Sequence, residues 1–304
     1  MTEPRETAGA VPTPNVRDVA LIFEGGGMRA SYTSAVVVAL LEAGIAFDWV
    51  GGVSAGSTNT ANYLSRDAWR ARHSFTDFAA DPQFGNWRTF VRGQGLFNAD
   101  YIYQRTSGPG EALPFAWDTF AANPAALSIT ALRCGDGATV HWGRDAVPTL
   151  ADLMVRVQAS STMPVVMPPV EIDGEVYVDG ALGETGGFAL DAARAAGYTK
   201  FFVVLTQVRG YRKRPLPTPW FYRNHFRRYP AVADALLTRW LRYNATKEEL
   251  FDLERSGSAY LFVPEEMPVG NGERSVAKLN ASHVLGLAQA RRELPAWREF
   301  LGAR

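Results

Sequence analysis

Apolar and polar positions along this 304-residue chain alternate between strand-like runs and helix-like spacing. Val19 to Phe23 is an unbroken apolar run leading into glycines, which predicts a short buried strand. From Met28 the spacing becomes helical through SYTSAVVVALLEA, and Gly44 is placed to close that helix in a left-handed conformation. FDWVGGVS predicts a second strand and AGSTNTANYLS a helix leaving it. Strand, glycine turn, helix, strand, tight turn, helix is the rhythm of a parallel sheet with helices packed on it.

Further along, LSITALRC and ATVHW flank the turn GDG and predict a hairpin, as do VEI and EVYVD around Asp173-Gly174. TLADLMVRVQAS predicts a helix, followed by the proline-interrupted loop STMPVVMPP. LDAARAAG predicts a helix closed by Gly197, KFFVVLTQ an apolar strand, and the last quarter is mostly helical around a strand at AYLFVPE. Residues 75–103, rich in Phe, Trp and Tyr, follow neither period. With no internal repeat and no linker that divides the chain, one α/β domain is the economical reading.

Composition narrows the function classes. Hydrophobic residues make up 47% of the chain, enough for a substantial core, and 31 Lys+Arg balance 31 Asp+Glu, so overall charge gives no reason to expect a nucleic-acid partner. One cysteine, Cys134, excludes an internal disulfide and a cysteine-ligated metal site. Residues 1–17, polar and proline-containing without an apolar stretch, read as a flexible tail and not a signal peptide. No apolar run approaches the roughly 20 residues a membrane helix needs, so the expectation is a cytoplasmic protein.

The chemistry concentrates at two turns. Gly25-Gly26-Gly27-Met28-Arg29-Ala30 satisfies the dinucleotide fingerprint G-x-G-x-x-A, and Asp48 follows at about the distance of a ribose-binding acid. Topology opposes that reading. Asp48 opens the second strand, whereas the ribose acid belongs at the carboxyl end, where Gly52-Val53-Ser54-Ala55-Gly56 stands instead. That pentapeptide is G-x-S-x-G, which at a strand-to-helix turn forces the serine hydroxyl outward on a sharp elbow. Gly52 and Gly56 leave room for neighbouring backbone, and the helix after Ser54 aims its amide groups at the reaction site. If the two strands are parallel neighbours, the amides of Gly25 to Gly27 face Ser54 and can form an oxyanion hole.

A serine nucleophile needs a base. Of the four histidines, His225 and His283 lie late enough in the chain to complete a triad, but NHFRRYP and NASHVLG favour surface or structural roles over a catalytic one. In VYVDGALGE, Asp179 ends an apolar strand directly before Gly180, which holds a carboxylate at the sheet's edge; a plain turn aspartate is the rival reading.

Taken in order, GGGMR, GVSAG, the loop STMPVVMPP and DGA resemble the patatin-like phospholipases, over about residues 19–205. That resemblance implies a three-layer fold with a mostly parallel central sheet flanked by helices and an additional helical C-terminal region. It divides the chain into a tail (1–17), a catalytic domain (18–205) and a region packed on it (206–304). It also implies a serine–aspartate dyad of Ser54 and Asp179, with Gly25, Gly26, Gly27 and Arg29 in the oxyanion-hole turn, and hydrolysis of acyl-lipid esters without metal or organic cofactor. Asp-Gly-Ala stands where Asp-Gly-Gly is the more frequent family form; alanine is small enough for the geometry to survive. Phe84, Trp87, Phe90 and Phe97 can line an acyl groove or serve as ordinary core. Residues 209–229 hold seven Lys or Arg and no acid among aromatics, including Trp220, Phe221 and Tyr222. They suit an anionic membrane surface, or a solvated loop paired with acids elsewhere.

Overall fold

The computed structural model describes residues 11, 13–85, 95 and 97–302. The strand β1 (Val19–Phe23) is wholly buried, as its unbroken apolar run requires, and the glycine turn leads through one 3-10 turn into α1 (Ala30–Glu42). Gly44, with φ of +67°, follows that helix. Next come β2 (Trp49–Val53), α2 (Ala55–Leu64) and α3 (Ala68–His73). The aromatic stretch without period contains a 3-10 turn at Asp77–Ala80 and a π-helical turn at Asp100–Arg105. Beyond it lie α4 (Trp117–Ala122), the hairpin β3 (Ala126–Arg133) and β4 (Thr139–Trp142), and α5 (Leu150–Ser161). Thr149 caps α5, its hydroxyl oxygen accepting the Asp152 amide at 3.2 Å.

The second hairpin pairs β5 (Val170–Ile172) with β6 (Glu175–Asp179), and both turn residues, Asp173 and Gly174, have positive φ as a type I′ turn demands. α6 (Leu190–Ala195) leads to β7 (Lys200–Val204); α7 (Pro219–His225) and α8 (Pro230–Arg255) lead to β8 (Ala259–Phe262); α9 (Val276–Leu301) closes the described chain.

The strands form one sheet in the order β5-β6-β3-β2-β1-β7-β8, with β4 paired to β3 off that path. β3, β2, β1, β7 and β8 run parallel to one another, whereas β6 and β4 run antiparallel to β3 and β5 antiparallel to β6. This is a mixed α/β fold with a mostly parallel central sheet flanked by helices and a largely helical C-terminal region.

Residues after 205 are built into the same body. β8 extends the sheet beside β7. α9 lies against α1, where Ser31 donates to Ser282 (2.9 Å) and Tyr32 to Gln289 (2.5 Å). The approach is close enough that a Cβ on Gly286 would lie 2.2 Å from the Tyr32 carbonyl. Polar pairs inside this contact fix its register, since shifting either helix would strand buried hydroxyls without partners.

Candidate active site

Phe23 lies opposite Gly52 in the parallel register, so the glycine turn after β1 and the elbow after β2 emerge side by side at the carboxyl ends of their strands. Ser54 sits at φ 57°, ψ −127°, a sparsely populated region for a residue with a side chain. Two glycines make the elbow possible. A Cβ on Gly52 would stand 2.2 Å from the Gly56 carbonyl oxygen, and one on Gly56 2.2 Å from that of Phe23. The side chain of Ser160 on α5 fixes the elbow further, accepting the Ser54 amide (2.9 Å) and donating to the Thr130 carbonyl (2.6 Å).

Asp179 arrives by an antiparallel route. β6 pairs with β3 so that Asp179 stands opposite Ala131, directly beyond the point where Val53 stands opposite Thr130; β4 pairs with these same β3 residues from the other side, so β2 and β6 share one edge of β3. The last residue of β6 thus meets the elbow end to end, with no strand between them. The Ser54 hydroxyl donates to Asp179 Oδ2 at 2.8 Å, and the Ala181 amide donates to Asp179 Oδ1, also at 2.8 Å. Ala181 packs into an apolar cluster with Phe188 and Tyr243, so alanine after Asp-Gly is accommodated. Both members of the pair are 6% exposed. Burial raises the Asp179 pKa above the usual carboxylate value, opposed first by the charge of Arg239, then by the Ala181 amide, the Ser54 hydroxyl and Lys213.

The glycine turn departs in part from its expected role. The Gly25 amide donates to the Gly187 carbonyl at 3.1 Å, so it is not aimed at Ser54; Gly25 instead gives the elbow room, since its Cβ would lie 3.0 Å from that of Ser54. The amide of Met28 is taken by the Asn271 carbonyl (3.0 Å) and that of Arg29 by Gly26 (3.2 Å). Among the described residues no backbone acceptor pairs with the amides of Gly26, Gly27 or Ala55. Gly27 has φ of +54° and presses on Asn271, so this turn is shaped by a C-terminal loop. Arg29 is half-buried, its pKa lowered by burial and supported by the charge of Glu24; the charges acting on it lie with Glu24, Tyr243 and Arg239.

Ser54 also opens onto a narrow cavity of about 80 Å³, almost wholly apolar, lined among others by Phe75, Phe78, Phe84, Phe97, Leu113 and Met154. Phe84 and Phe97 meet edge to face within it. Trp87 and Phe90, the other aromatics expected there, lie outside the described residues. Tyr103, from the stretch without period, also lines it, beside Thr58 and Ser161.

Neither late histidine joins the pair. His283 is buried between Ser34 (3.0 Å) and the Ser31 carbonyl (3.2 Å), with burial pulling its pKa down to about 4; His225 is exposed and stacks on Phe221. Asp48 accepts a hydrogen bond from Tyr198 (2.8 Å) at the amino end of β2, away from the glycine turn, which argues against the dinucleotide reading.

The family assignment rests on comparison with known sequences. A family model described as patatin-like phospholipase matches residues 21–190. The chain belongs to the patatin-like phospholipase family. A second model, described as a domain of unknown function (DUF6363), matches residues 229–302. The uncharacterized protein YjjU of Escherichia coli (strain K12) is 27% identical over 171 residues, 55% of this chain and 46% of that protein; the match spans about half the length of this curated relative. The crystal structure of VipD from Legionella pneumophila superposes with a TM-score of 0.50 at 10% identity, covering 97% of this chain and 71% of VipD. At that identity the likeness is one of fold. For a patatin-like chain, GGGMR, GVSAG and DGA thus meet at one edge of the sheet.

Two features of the site escaped sequence reasoning. Glu24, immediately before the glycines, is 2% exposed and accepts from the Thr206 amide (2.5 Å) and the Tyr243 hydroxyl (2.9 Å). The only signal was an acid ending an apolar strand, the same signal that singled out Asp179. Arg239 and Lys213, whose charges act on Asp179, come from the C-terminal region and carried no motif.

Proposed function

We propose that this protein is a serine–aspartate dyad acyl hydrolase that cleaves carboxylic esters of acyl lipids, of the phospholipase A, lysophospholipase or carboxylesterase type. The observation that carries this reading is the 2.8 Å hydrogen bond from Ser54 to a buried Asp179 at the mouth of an apolar cavity. Asp179 takes the hydroxyl proton as Ser54 Oγ attacks the ester carbonyl. Its raised pKa makes it a better base than an exposed carboxylate while the Ala181 amide holds its orientation. The amides of Gly26, Gly27 and Ala55 receive the developing oxyanion; in comparable sites one such donor is worth around 3 kcal/mol. Asp179 passes that proton to the departing alcohol, an acyl-Ser54 ester remains with its chain in the cavity, and water deprotonated by Asp179 then attacks it, the acid leaving as the proton returns to Ser54.

In this reading residues 18–205 carry the dyad and residues 206–304 complete its surroundings. Segment 209–229 has ion pairs that suit a solvated loop: Arg209 with Glu254 (2.7 Å), Arg212 with Glu248 (2.5 Å) and Arg223 with Asp234 (3.8 Å). Trp220 is nonetheless 71% exposed beside Phe221, and no helix among the described residues is long and apolar enough to cross a membrane. Contact with an anionic bilayer through α7 therefore belongs to the proposal, and salt-sensitive binding to anionic vesicles tests it.

The deciding experiment labels the protein with a fluorophosphonate and follows hydrolysis of a panel of acyl esters. Labelling and turnover are expected in the wild type and absent in Ser54→Ala. Labelling that persists in Ser54→Ala, or undiminished turnover in Asp179→Asn, overturns the dyad.

A further inference from the structure

A second cavity, of about 780 Å³, lies between the loop after β7 and one face of α8. Its walls include Arg212, Lys213, Arg214 and Arg239, together with Tyr211 and Trp240, and no acidic residue. Arg212 is neutralised by Glu248. The other three have no carboxylate within ion-pair distance among the described residues. Lys213 Nζ instead rests 4.8 Å from the centre of the Tyr243 ring. Arg239 donates through Nε to the Gly186 carbonyl (3.1 Å). The nearest buried acid, Glu24, has its oxygens engaged by Thr206 and Tyr243. Holding cations together in this way is costly: burial, then the neighbouring charge of Arg239, pulls the Lys213 pKa down to about 8. Elsewhere on the segment Arg209 and Arg223 pair with acids and Arg227 and Arg228 are exposed to solvent, so the half-buried cations without an acid, Lys213 and Arg239, are those of this cavity.

The geometry points to a phosphate-binding site in this cavity, with Lys213 and Arg239 as its ligands and Arg214 at its rim. A tetrahedral oxyanion supplies the negative charge the walls lack, and a guanidinium with a free edge beside an ammonium suits its several oxygens. Arg239 also ties the site to the dyad, because its charge is the strongest acting on Asp179 and its donor group holds Gly186, next to the Gly187 carbonyl that binds Gly25. The phosphate can come from a lipid headgroup or from a free phosphate; the binding chemistry is the same.

Calorimetric titration of inorganic phosphate into Ser54→Ala protein tests the site independently of the hydrolase reading. Binding is expected, weakened at least tenfold in Lys213→Met and in Arg239→Gln and largely restored in Lys213→Arg, with circular dichroism verifying the fold of each variant. No binding, or unchanged affinity in folded Lys213→Met and Arg239→Gln, overturns the proposal. Kinetics in the Ser54 protein separate the sources. A KM raised by Lys213→Met only for esters with a phosphate headgroup assigns the site to the substrate. Equal KM values for charged and uncharged esters, with phosphate binding lost, assign it to a free phosphate.

Discussion

On one side of Ser54 stand Phe75, Phe78, Phe84, Phe97 and Met154, lining a narrow apolar cavity; on the other, Glu24, Arg29, Lys213 and Arg239 crowd charge behind the glycine turn. The apolar flank comes almost entirely from the part of the chain matched by the family model. The charged flank draws Lys213, Arg239 and Tyr243 from beyond it. Each flank supplies what the other cannot. In the proposed reaction apolar walls stabilise an acyl chain by burial, at about 0.8 kcal/mol per methylene, while burial raises the basicity of Asp179. The charges of Arg239 and Lys213 oppose that rise.

The largest effect expected from breaking this balance is chemical. Asp179→Asn should lower hydrolysis by roughly a thousandfold, within the range of general-base removal. The same substitution should raise thermal stability at neutral pH. A buried carboxyl with a raised pKa holds its proton more tightly in the folded chain than in the unfolded one. Its contribution to stability is therefore fully present below the unfolded pKa and is lost as pH rises through the folded value. Melting curves across pH should show the mutant's advantage shrinking toward acid. An advantage that grows toward acid would mean that the cationic flank dominates and Asp179 is not raised.

A second change sharpens the apolar side alone. Met163 is half-buried and lines the cavity, so Met163→Trp should cut kcat/KM for long-chain esters by about tenfold while changing acetyl esters little. Equal losses for both would place the acyl chain elsewhere. On the charged side, Tyr243→Phe leaves Glu24 without one of its two hydrogen bonds, and should cost about 1–3 kcal/mol in denaturant unfolding. The smallest effect concerns the elbow between the flanks: Ser54→Gly should gain about 1 kcal/mol by releasing the positive-φ strain, read from the same unfolding curves.

The two flanks also differ in how far sequence reveals them. Buried strands and amphipathic helices follow from local periodicity, and both hairpins announced themselves by Gly and Asp at their turns. GVSAG was readable because the G-x-S-x-G spacing is itself a local requirement of the strand-to-helix turn, although Gly56 makes room for the distant Phe23 carbonyl. The antiparallel return of β6 was not, since nothing in EVYVD specifies which strand it pairs with. Nor was the loss of the Gly25 amide to Gly187, a contact between residues far apart in the chain.

Outside residues 75–103, sequence by itself indicated the elements, and with the resemblance the two residues whose side chains meet, because turn glycines and apolar periods are local requirements of the backbone. Only the tertiary structure decided which amides remain open, where the apolar cavity runs and that the charges of Lys213 and Arg239 act on Asp179. Those depend on charges and volumes brought together from distant segments, and a single arginine in a helix looks the same in sequence whether it points to solvent or lies near enough for its charge to act on a buried carboxylate.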